Sequence, residues 1–347
     1  MQKPMPCTLE QIRSTRVSTT LSKTAFFRTI LASALLAVSL ITAPTVRAEV
    51  AGGKTVTLVV AATTNTTVDT LARLIAPQMA KTLGQNVVVE NKPGGNGLVA
   101  GTLVAKAAPD GATLLVDSSS FAVPPGPSRK TSYDPVRAFK PLAVLALFPY
   151  VFVTFGPYPA KSTLDVVAMA RRSPNEVAFA STGTGSAQHL AAAQFEDLAG
   201  IDLLNIPYRN SGLALSDVAS RQVPLLFADY VSVQPHLKES RLRALAVTGK
   251  RRLPQLPDVP TMQQAGVAEY EVYEWSPVVA PAGVTPDTVR QLSSAIATAV
   301  KSPEFIDKVR ELGGEPYAAG DDEAEMFVAA QRKMWTKVVG NRHIKLD

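Results

Sequence analysis

The sequence predicts an α/β protein with two lobes. Short runs rich in β-branched residues alternate with helical periodicity almost throughout residues 55–339, as in parallel strands joined by helices. The same alternation starts again after residue 150, beyond a proline-rich stretch at 121–141. A chain of 347 residues is also long enough for two domains with separate cores.

The first 48 residues have the features of a secretory signal peptide. Five basic residues precede an uncharged apolar run at 29–43, and Val46 and Ala48 are small residues of the kind that signal peptidase requires. The alternative is a membrane anchor, but this run is shorter than the roughly 20 residues that span a bilayer. We therefore expect cleavage near Ala48 and a protein that acts outside the cytoplasm.

Removing this leader changes the charge and the thiol content. It takes away six of the 35 basic and one of the 29 acidic residues, leaving 29 basic against 28 acidic residues and a formal charge of +1. No basic footprint for nucleic acid remains. Cys7 is the only cysteine and lies in the leader, so disulfides, thiolate metal sites and cysteine nucleophiles are not expected in the exported chain.

The first half of the exported chain contains three predicted strands and two helices. The strands lie at 55–60, 87–90 and 113–116, and the helices at about 67–83 and 98–107. Gly84 is typical of a helix C-cap, whereas Pro77 inside the first helix predicts a kink or an early end. The stretch at 121–141 is expected to be a loop.

The second half repeats the pattern and then becomes helical. Strands are predicted at 177–180, 203–206, 225–228, 243–247 and 270–280, with helices at 187–198 and 213–220 between the first three. The last predicted elements are helices at 287–300, 303–312 and 322–339.

Two polar loops follow strands and precede helices, one in each half. Free backbone N–H groups, the helix dipole and short hydroxyl side chains favour an anion at such a place. An ordinary capped turn explains either loop alone equally well. The pair of loops predicts a cleft between the lobes that holds a small carboxylate from both sides. The candidate residues are Thr63, Thr64, Asn65, Thr66 and Thr67 in the first loop, and Ser181, Thr182, Gly183, Thr184, Gly185 and Ser186 in the second.

Five further residues are candidate ligand contacts, each with a structural alternative. His189 either contacts the ligand or bonds its own loop, and Asp69 either contacts the ligand or caps its helix. Asp229 is expected at the mouth of the second lobe, where it supports the loops or meets a ligand amine. Tyr208 precedes Arg209, a possible cation for a second carboxylate, and Trp275 either packs at the hinge or covers the ligand.

Other chemistries are poorly supported. GTGSAQ departs from G-x-G-x-x-G because Gln188 takes the place of the third glycine, and no phosphate-binding G-x-x-x-x-G-K-[ST] motif is present. The three histidines are far apart in the sequence and lack metal-site spacing. We expect neither a cofactor nor a metal. The alternative function is that of an enzyme: an exported hydrolase using Ser186 and His189, although no G-x-S-x-G motif is present.

The ordered segments resemble one receptor family over residues 54–347. They include VVVENKPGGNG, VAKAAPDGATLL, FASTGTGSAQHLAAAQF, IPYRNSGLALSDVASRQVPLLFAD and VVAPAGVTPDTVRQL. They are similar to the substrate-binding proteins of tripartite tricarboxylate transporters, also called the Bug family of periplasmic receptors. The resemblance implies a two-lobed, type II Venus-flytrap fold with lobe 1 at 49–149 plus 274–347 and lobe 2 at 150–273.

The resemblance also implies a mechanism and partners. A ligand carboxylate would be held by both polar loops as the lobes close, and then be delivered to membrane permease subunits, or be sensed with a sensor kinase. A periplasmic monomer without nucleic acid is expected. The first loop, AATTNTT, lacks the proline, aromatic residue and glycines usual in the family, which predicts a different ligand or weaker binding.

Overall fold

Two sets of strands share one long strand, and this strand organises the fold. The structure is a computed structural model that describes residues 50–124, 126 and 132–346, so the predicted leader lies outside the described residues. The strands, in chain order, are β1 (Val56–Val60), β2 (Val87–Asn91), β3 (Thr113–Val116), β4 (Phe139–Phe155), β5 (Ala178–Ser181), β6 (Leu204–Pro207), β7 (Leu225–Asp229), β8 (Leu242–Val247), β9 (Tyr273–Pro281) and β10 (Glu315–Ala319).

The helices begin at local capping signals. Six of those described start after a Thr, Ser or Asn whose side chain accepts a hydrogen bond from the backbone N–H of the third helical residue. The α-helices, in chain order, are α1 (Thr67–Leu83), α2 (Leu98–Ala105), α3 (Thr163–Arg172), α4 (Ala187–Ala199), α5 (Ser211–Ala219), α6 (Tyr230–Lys238), α7 (Pro286–Val300), α8 (Pro303–Glu311) and α9 (Asp321–Asn341).

The first sheet has β1 at the centre of its parallel part. Strands β2 and β3 flank β1 in parallel, β9 lies antiparallel to β3, and β4 lies antiparallel to β9 and β10. Apolar side chains of α1 and α7, such as Leu71, Ile75 and Ile296, are buried in one cluster with Leu58 of β1. The period-3.6 stripe predicted for α1 is therefore its core face.

The second sheet is built on the far half of β4. Strands β7 and β8 lie antiparallel to β4, and β5 lies between β7 and β6 in parallel with both. Its core includes Phe152, Phe179, Phe195 and Phe227, and the carboxyl-terminal helix α9 contributes Trp335 to the same cluster.

Strand β4 changes partners in its middle. Its first part pairs with β9 as far as Pro149, opposite Tyr273, and from Tyr150 onward it pairs with β7. The predicted boundary between residues 149 and 150 falls at this change, although the lobe limits themselves stay a prediction. The carboxyl ends of β1, β3 and β7 meet near this crossing, which positions the candidate site.

Several sequence-based element predictions were wrong. Helix α1 has its predicted limits, Thr67 to Leu83, so the early end considered at Pro77 does not occur. Strand β4 begins at Phe139, inside the predicted loop, and is fully buried over most of its length, so it lacks the alternation that marks a strand with one exposed face. Helices α3 and α6 and strand β10 were not predicted.

Candidate ligand-binding cleft

A cleft of about 530 Å³ opens beside the strand crossing. Phe148, Pro149 and Tyr150 of β4 line it, with residues from both sheets on either side. Its volume lies in the range of small-molecule sites, roughly 300 to 1,000 Å³. The place where one strand leaves the first sheet for the second is therefore also the place where a small ligand fits.

The strand registers bring two acidic residues into this cleft. Asp229, the last residue of β7, is paired with Tyr150, and Glu274, the second residue of β9, is paired with Phe148. Both carboxylates belong to the lining. Residues that lie 45 positions apart in the sequence therefore face one cavity because both strands pair with the same segment of β4.

Four helix N-termini also converge on the cleft. The lining includes Thr67 of α1, Gln188 of α4, Ser211 of α5 and Tyr230 of α6, all within the first two residues of their helices. Backbone N–H groups at these positions have no partner within the helix, and the helix dipole places partial positive charge there. The arrangement favours a negatively charged group in the cavity.

The first polar loop is held in shape by Asp69. Asn65 lies in the left-handed region at φ 64°, and its backbone N–H donates to Asp69 Oδ2 at 2.9 Å. Arg73 Nε donates to the same carboxylate at 3.0 Å, and Asn91 Nδ2 donates to Oδ1 at 2.8 Å. Asp69 is buried and is not among the cleft-lining residues, so its hydrogen bonds serve the loop.

These hydrogen bonds keep Asp69 ionised. Burial raises the pKa of Asp69, but hydrogen bonds from Arg73, Asn91 and Asn65, together with the charge of Arg73, outweigh it and hold the pKa below 3.8. Asn65, Thr66 and Thr67 line the cleft, whereas Thr63 and Thr64 are exposed outside it. The first loop thus reaches the cavity through its last three residues.

The second polar loop is hydrogen-bonded to β6 and to the helix that follows it, α4. Ser181 Oγ donates to Asn205 Oδ1 at 2.7 Å, and Thr182 Oγ1 donates to Gln188 Oε1 at 2.7 Å. None of residues 181–186 is among the cleft-lining residues, although Gln188 is. A direct role of this loop in ligand binding stays a prediction.

His189 accepts a hydrogen bond from the second loop. The backbone N–H of Gly185 donates to His189 Nδ1 at 3.0 Å, which requires an unprotonated nitrogen. Burial lowers the pKa of His189 to about 4, so the ring is neutral at pH 7. Gly185 itself has φ 76°, and a Cβ there would meet Leu346 Cδ2 at 2.5 Å, so this turn requires glycine.

Two remaining candidates lie away from the cleft lining. Tyr208 Oη donates to Asp217 Oδ2 at 2.8 Å, which links the loop after β6 to helix α5. Trp275 is fully buried and packs edge-on against Phe327 at 5.1 Å between ring centroids. Of the two roles considered for Trp275, packing and covering the ligand, these surroundings fit packing.

The two carboxylates in the cleft differ in their partners. Glu274 accepts three hydrogen bonds, from Ser119 N at 2.9 Å, Ser119 Oγ at 2.8 Å and Tyr150 Oη at 2.7 Å. Among the described residues no side chain donates to Asp229, although it is the N-cap of α6. Burial, and then the charge of Glu274, raises the pKa of Asp229 to about 6. Burial also raises the pKa of Glu274, against the effect of its hydrogen bonds.

Sequence reasoning missed several lining residues. Glu274, Tyr150 and Ser118 were not singled out, nor were Ser211 and Ser232 at the starts of their helices. A signal for Ser118 was present, because DSSS directly follows β3, whose carboxyl end lies beside that of β1. Glu274 carried no such signal, since its position depends on the register of β9 with β4.

Residues 50–124, 126 and 132–346 contain neither a metal-binding cluster nor a helix that could span a membrane. These residues contain no group of three or more His, Cys, Asp or Glu that could hold a metal ion. Their helices include none that is both long and apolar enough to cross a membrane.

Comparison with known proteins agrees with the resemblance seen in the sequence. Residues 71–344 match the model of the tripartite tricarboxylate transporter family receptor. A UPF0065 protein of Pseudomonas sp. strain P51 is 31% identical over 313 residues, which cover 90% of this chain and 93% of that protein.

Two solved structures of similar proteins contain bound carboxylates, and a third is a periplasmic binding protein. Rpa4515 of R. palustris with adipate has a TM-score of 0.72 and 32% identity, over 84% of this chain and 98% of that one. MatC of Rhodopseudomonas palustris with bound malate has a TM-score of 0.68 and 30% identity, over 82% and 99%. The periplasmic binding protein BugD has a TM-score of 0.69 and 28% identity, over 84% and 98%.

The expected fold class is confirmed: this is the two-lobed α/β fold of periplasmic binding proteins. The family and the neighbours named above are binding proteins rather than enzymes. The chain therefore belongs to the tripartite tricarboxylate transporter receptor family.

Proposed function

We propose that this protein is a periplasmic receptor that binds a small carboxylate in the cleft and delivers it to the membrane subunits of a tripartite tricarboxylate-type transporter. The observation that carries the proposal is the convergence of the first turns of α1, α4, α5 and α6 on one cavity. Two similar receptors hold adipate and malate, which are both small carboxylates. The predicted leader at 1–48 and the periplasmic neighbour BugD support export.

The cleft has the properties needed for binding by closure. Helix α1 belongs to the first sheet, whereas α4, α5 and α6 pack with the second. A ligand that bonds to N–H groups on both sides favours the conformation in which both sides reach it, so binding shifts the open–closed equilibrium. Each hydrogen bond to a carboxylate contributes about 1.5 to 3 kcal/mol.

A binding screen tests whether a carboxylate is the ligand. Isothermal titration of the purified protein with C4 to C6 acids and with the matching primary amides compares the same shape with and without charge. We expect at least one acid to bind and its amide to bind at least tenfold more weakly. Binding of uncharged compounds alone would contradict the proposal.

A backbone substitution tests which group binds the carboxylate. Thr67 is the first residue of α1, where proline is well tolerated, and Thr66 before it is extended at φ −83° and ψ 166°, which suits the residue before proline. Thr67→Pro removes one N–H group from the cleft, and we expect about tenfold weaker acid binding. Thr67→Val is the matched control, because it removes the hydroxyl but keeps the N–H. An equal loss in both variants would assign the contact to the hydroxyl instead.

A further inference from the structure

The cleft combines an attraction for anions with two negative charges of its own. The first turns of four helices favour a carboxylate, yet Asp229 and Glu274 line the same cavity. A ligand with negative charge along its whole length would be attracted by the helix N-termini but repelled by Asp229 and Glu274. The identity of the ligand therefore depends on what neutralises them.

The described part of the cleft lining supplies no cation for this purpose. Of the described residues that line the cleft, none is Lys, Arg or His. The basic residue on α1 closest in sequence to the cleft loop, Arg73, bonds to Asp69 instead. Ser119 and Tyr150 donate to Glu274 as neutral groups, so they orient its charge without cancelling it.

Asp229 lacks even this support. It is the N-cap of α6, but its side chain makes no capping hydrogen bond, unlike Thr66, Ser186 and Asn210 at the other three helices. Asp229 is one of the residues that line the cavity. Burial and the nearby charge of Glu274 raise the pKa of Asp229 to about 6, against a backbone hydrogen bond at Asp229 that lowers it.

We infer that the ligand is an amino acid or a related aminocarboxylate, whose ammonium group binds Asp229 beside Glu274 while its carboxylate binds the helix N-termini. This inference rests on the proposed function, because it uses the same cleft. An ammonium group supplies up to three donors and one positive charge, which matches the lack of side-chain donors at Asp229 and the charge of Glu274. The volume of about 530 Å³ suits a molecule of this size.

Matched ligand pairs test the inference directly. Affinities of the purified protein are measured by isothermal titration for L-aspartate against succinate, L-glutamate against glutarate and 4-aminobutanoate against butanoate. We expect the amino compound of at least one pair to bind tenfold or more tightly than its partner. If the compounds without nitrogen bind equally or more tightly in every pair, the inference is wrong and the carboxylate proposal stands. If no acid in either series or in the wider screen binds, both fall.

Neutral variants identify the group that recognises the amine. Asp229→Asn keeps the size of the side chain and removes its charge, so we expect the preference for the amino compound to fall below about threefold. Glu274→Gln should lower the preference less, because Glu274 is already occupied by three donors. Thermal unfolding of each variant verifies that it is folded.

Asp258→Asn is the matched control. Asp258 is an exposed aspartate away from the cleft lining, and its substitution changes the net charge by the same amount. We expect it to retain the full preference for the amino compound. A preference that survives in Asp229→Asn, or one that is lost equally in Asp258→Asn, would overturn the assignment of the ammonium group to Asp229.

Discussion

Asp69 and Asp229 both lie at the start of a helix beside the cleft, yet their surroundings are opposite. Asp69 accepts hydrogen bonds from a backbone N–H and from the side chains of Arg73 and Asn91. Asp229 accepts none from the side chains that the structure describes, and it lines the cavity. The pKa of Asp69 is accordingly lowered, while that of Asp229 is raised to about 6.

The difference teaches how one residue type takes two roles in one site. A carboxylate with several donors from the protein fixes a loop and has no capacity left for a ligand. A carboxylate without protein donors destabilises the empty protein slightly and is available to a ligand. Three substitutions test this distinction between structural and available charge.

Asp69→Ala should have the largest effect. It removes the buried carboxylate that accepts from Asn65, Arg73 and Asn91, so we expect the free energy of unfolding at pH 7 to fall by about 2 to 4 kcal/mol. Urea denaturation measures it. Because the folded pKa of Asp69 is lowered, this stabilisation exists above the unfolded pKa near 3.9 and is lost as the pH falls through the folded value.

Asp110→Ala is the control for Asp69. Asp110 bonds to Ala112 N and Lys54 at a more exposed position, so its loss should amount to less than about 1 kcal/mol. Equal losses in the two variants would contradict a special structural role for Asp69.

His189→Asn should have the next largest effect, visible in the pH dependence. The folded pKa of His189 is about 4 and the unfolded value near 6.5, so the unfolded chain takes up a proton first as the pH falls. Wild-type stability should therefore decrease by about 2 kcal/mol from this group between pH 7 and pH 4.5. Asparagine keeps an acceptor for Gly185 but does not titrate, so urea denaturation of the variant should show a smaller decrease. Equal pH slopes would show that His189 titrates normally.

Asp229→Asn should have the smallest effect on stability and the opposite sign. The folded pKa of Asp229, about 6, lies above the unfolded value, so its ionisation lowers stability as the pH rises from about 4 to 6. Because the carboxylate faces the cleft, we expect a gain of only about 1 to 2 kcal/mol for the variant at pH 8, and no gain near pH 4. A variant less stable than wild type at pH 8 would indicate that Asp229 has a structural partner.

The sequence predicted the elements of the fold better than their limits. The sequence located β1, α1, β5 and α4 within one or two residues, because the strands are short runs rich in apolar residues and both helices begin at a capping residue. It missed all of β4, because prolines at 135 and 141 suggested a loop around its start and burial on both faces removed the alternation along the rest. Helix α6, with Pro235 inside it, was missed for a similar local reason.

The candidate site was predictable only where it depends on local sequence. Asn65, Thr66 and Thr67 line the cleft because they lie at the start of helix α1. The sequence indicates that helix start through its capping residue. Glu274 and Tyr150 reach it through pairing between distant strands, and no local pattern encodes that register. The hydrogen bond between His189 and its own loop had been weighed as the alternative to ligand contact, and the structure contains it.

The sharing of β4 between two sheets also constrains how this chain can change in length. Successive residues of a strand point to opposite faces, so inserting or deleting one residue between Phe139 and Tyr150 would reverse the facing of every later side chain or break the pairing with β7. Phe148 and Tyr150 would then turn away from the cavity, or Asp229 would lose its place opposite Tyr150. Surface loops tolerate insertions, whereas a change of length here would need a compensating bulge like those that already interrupt the pairing with β9 after Pro141 and after Val144.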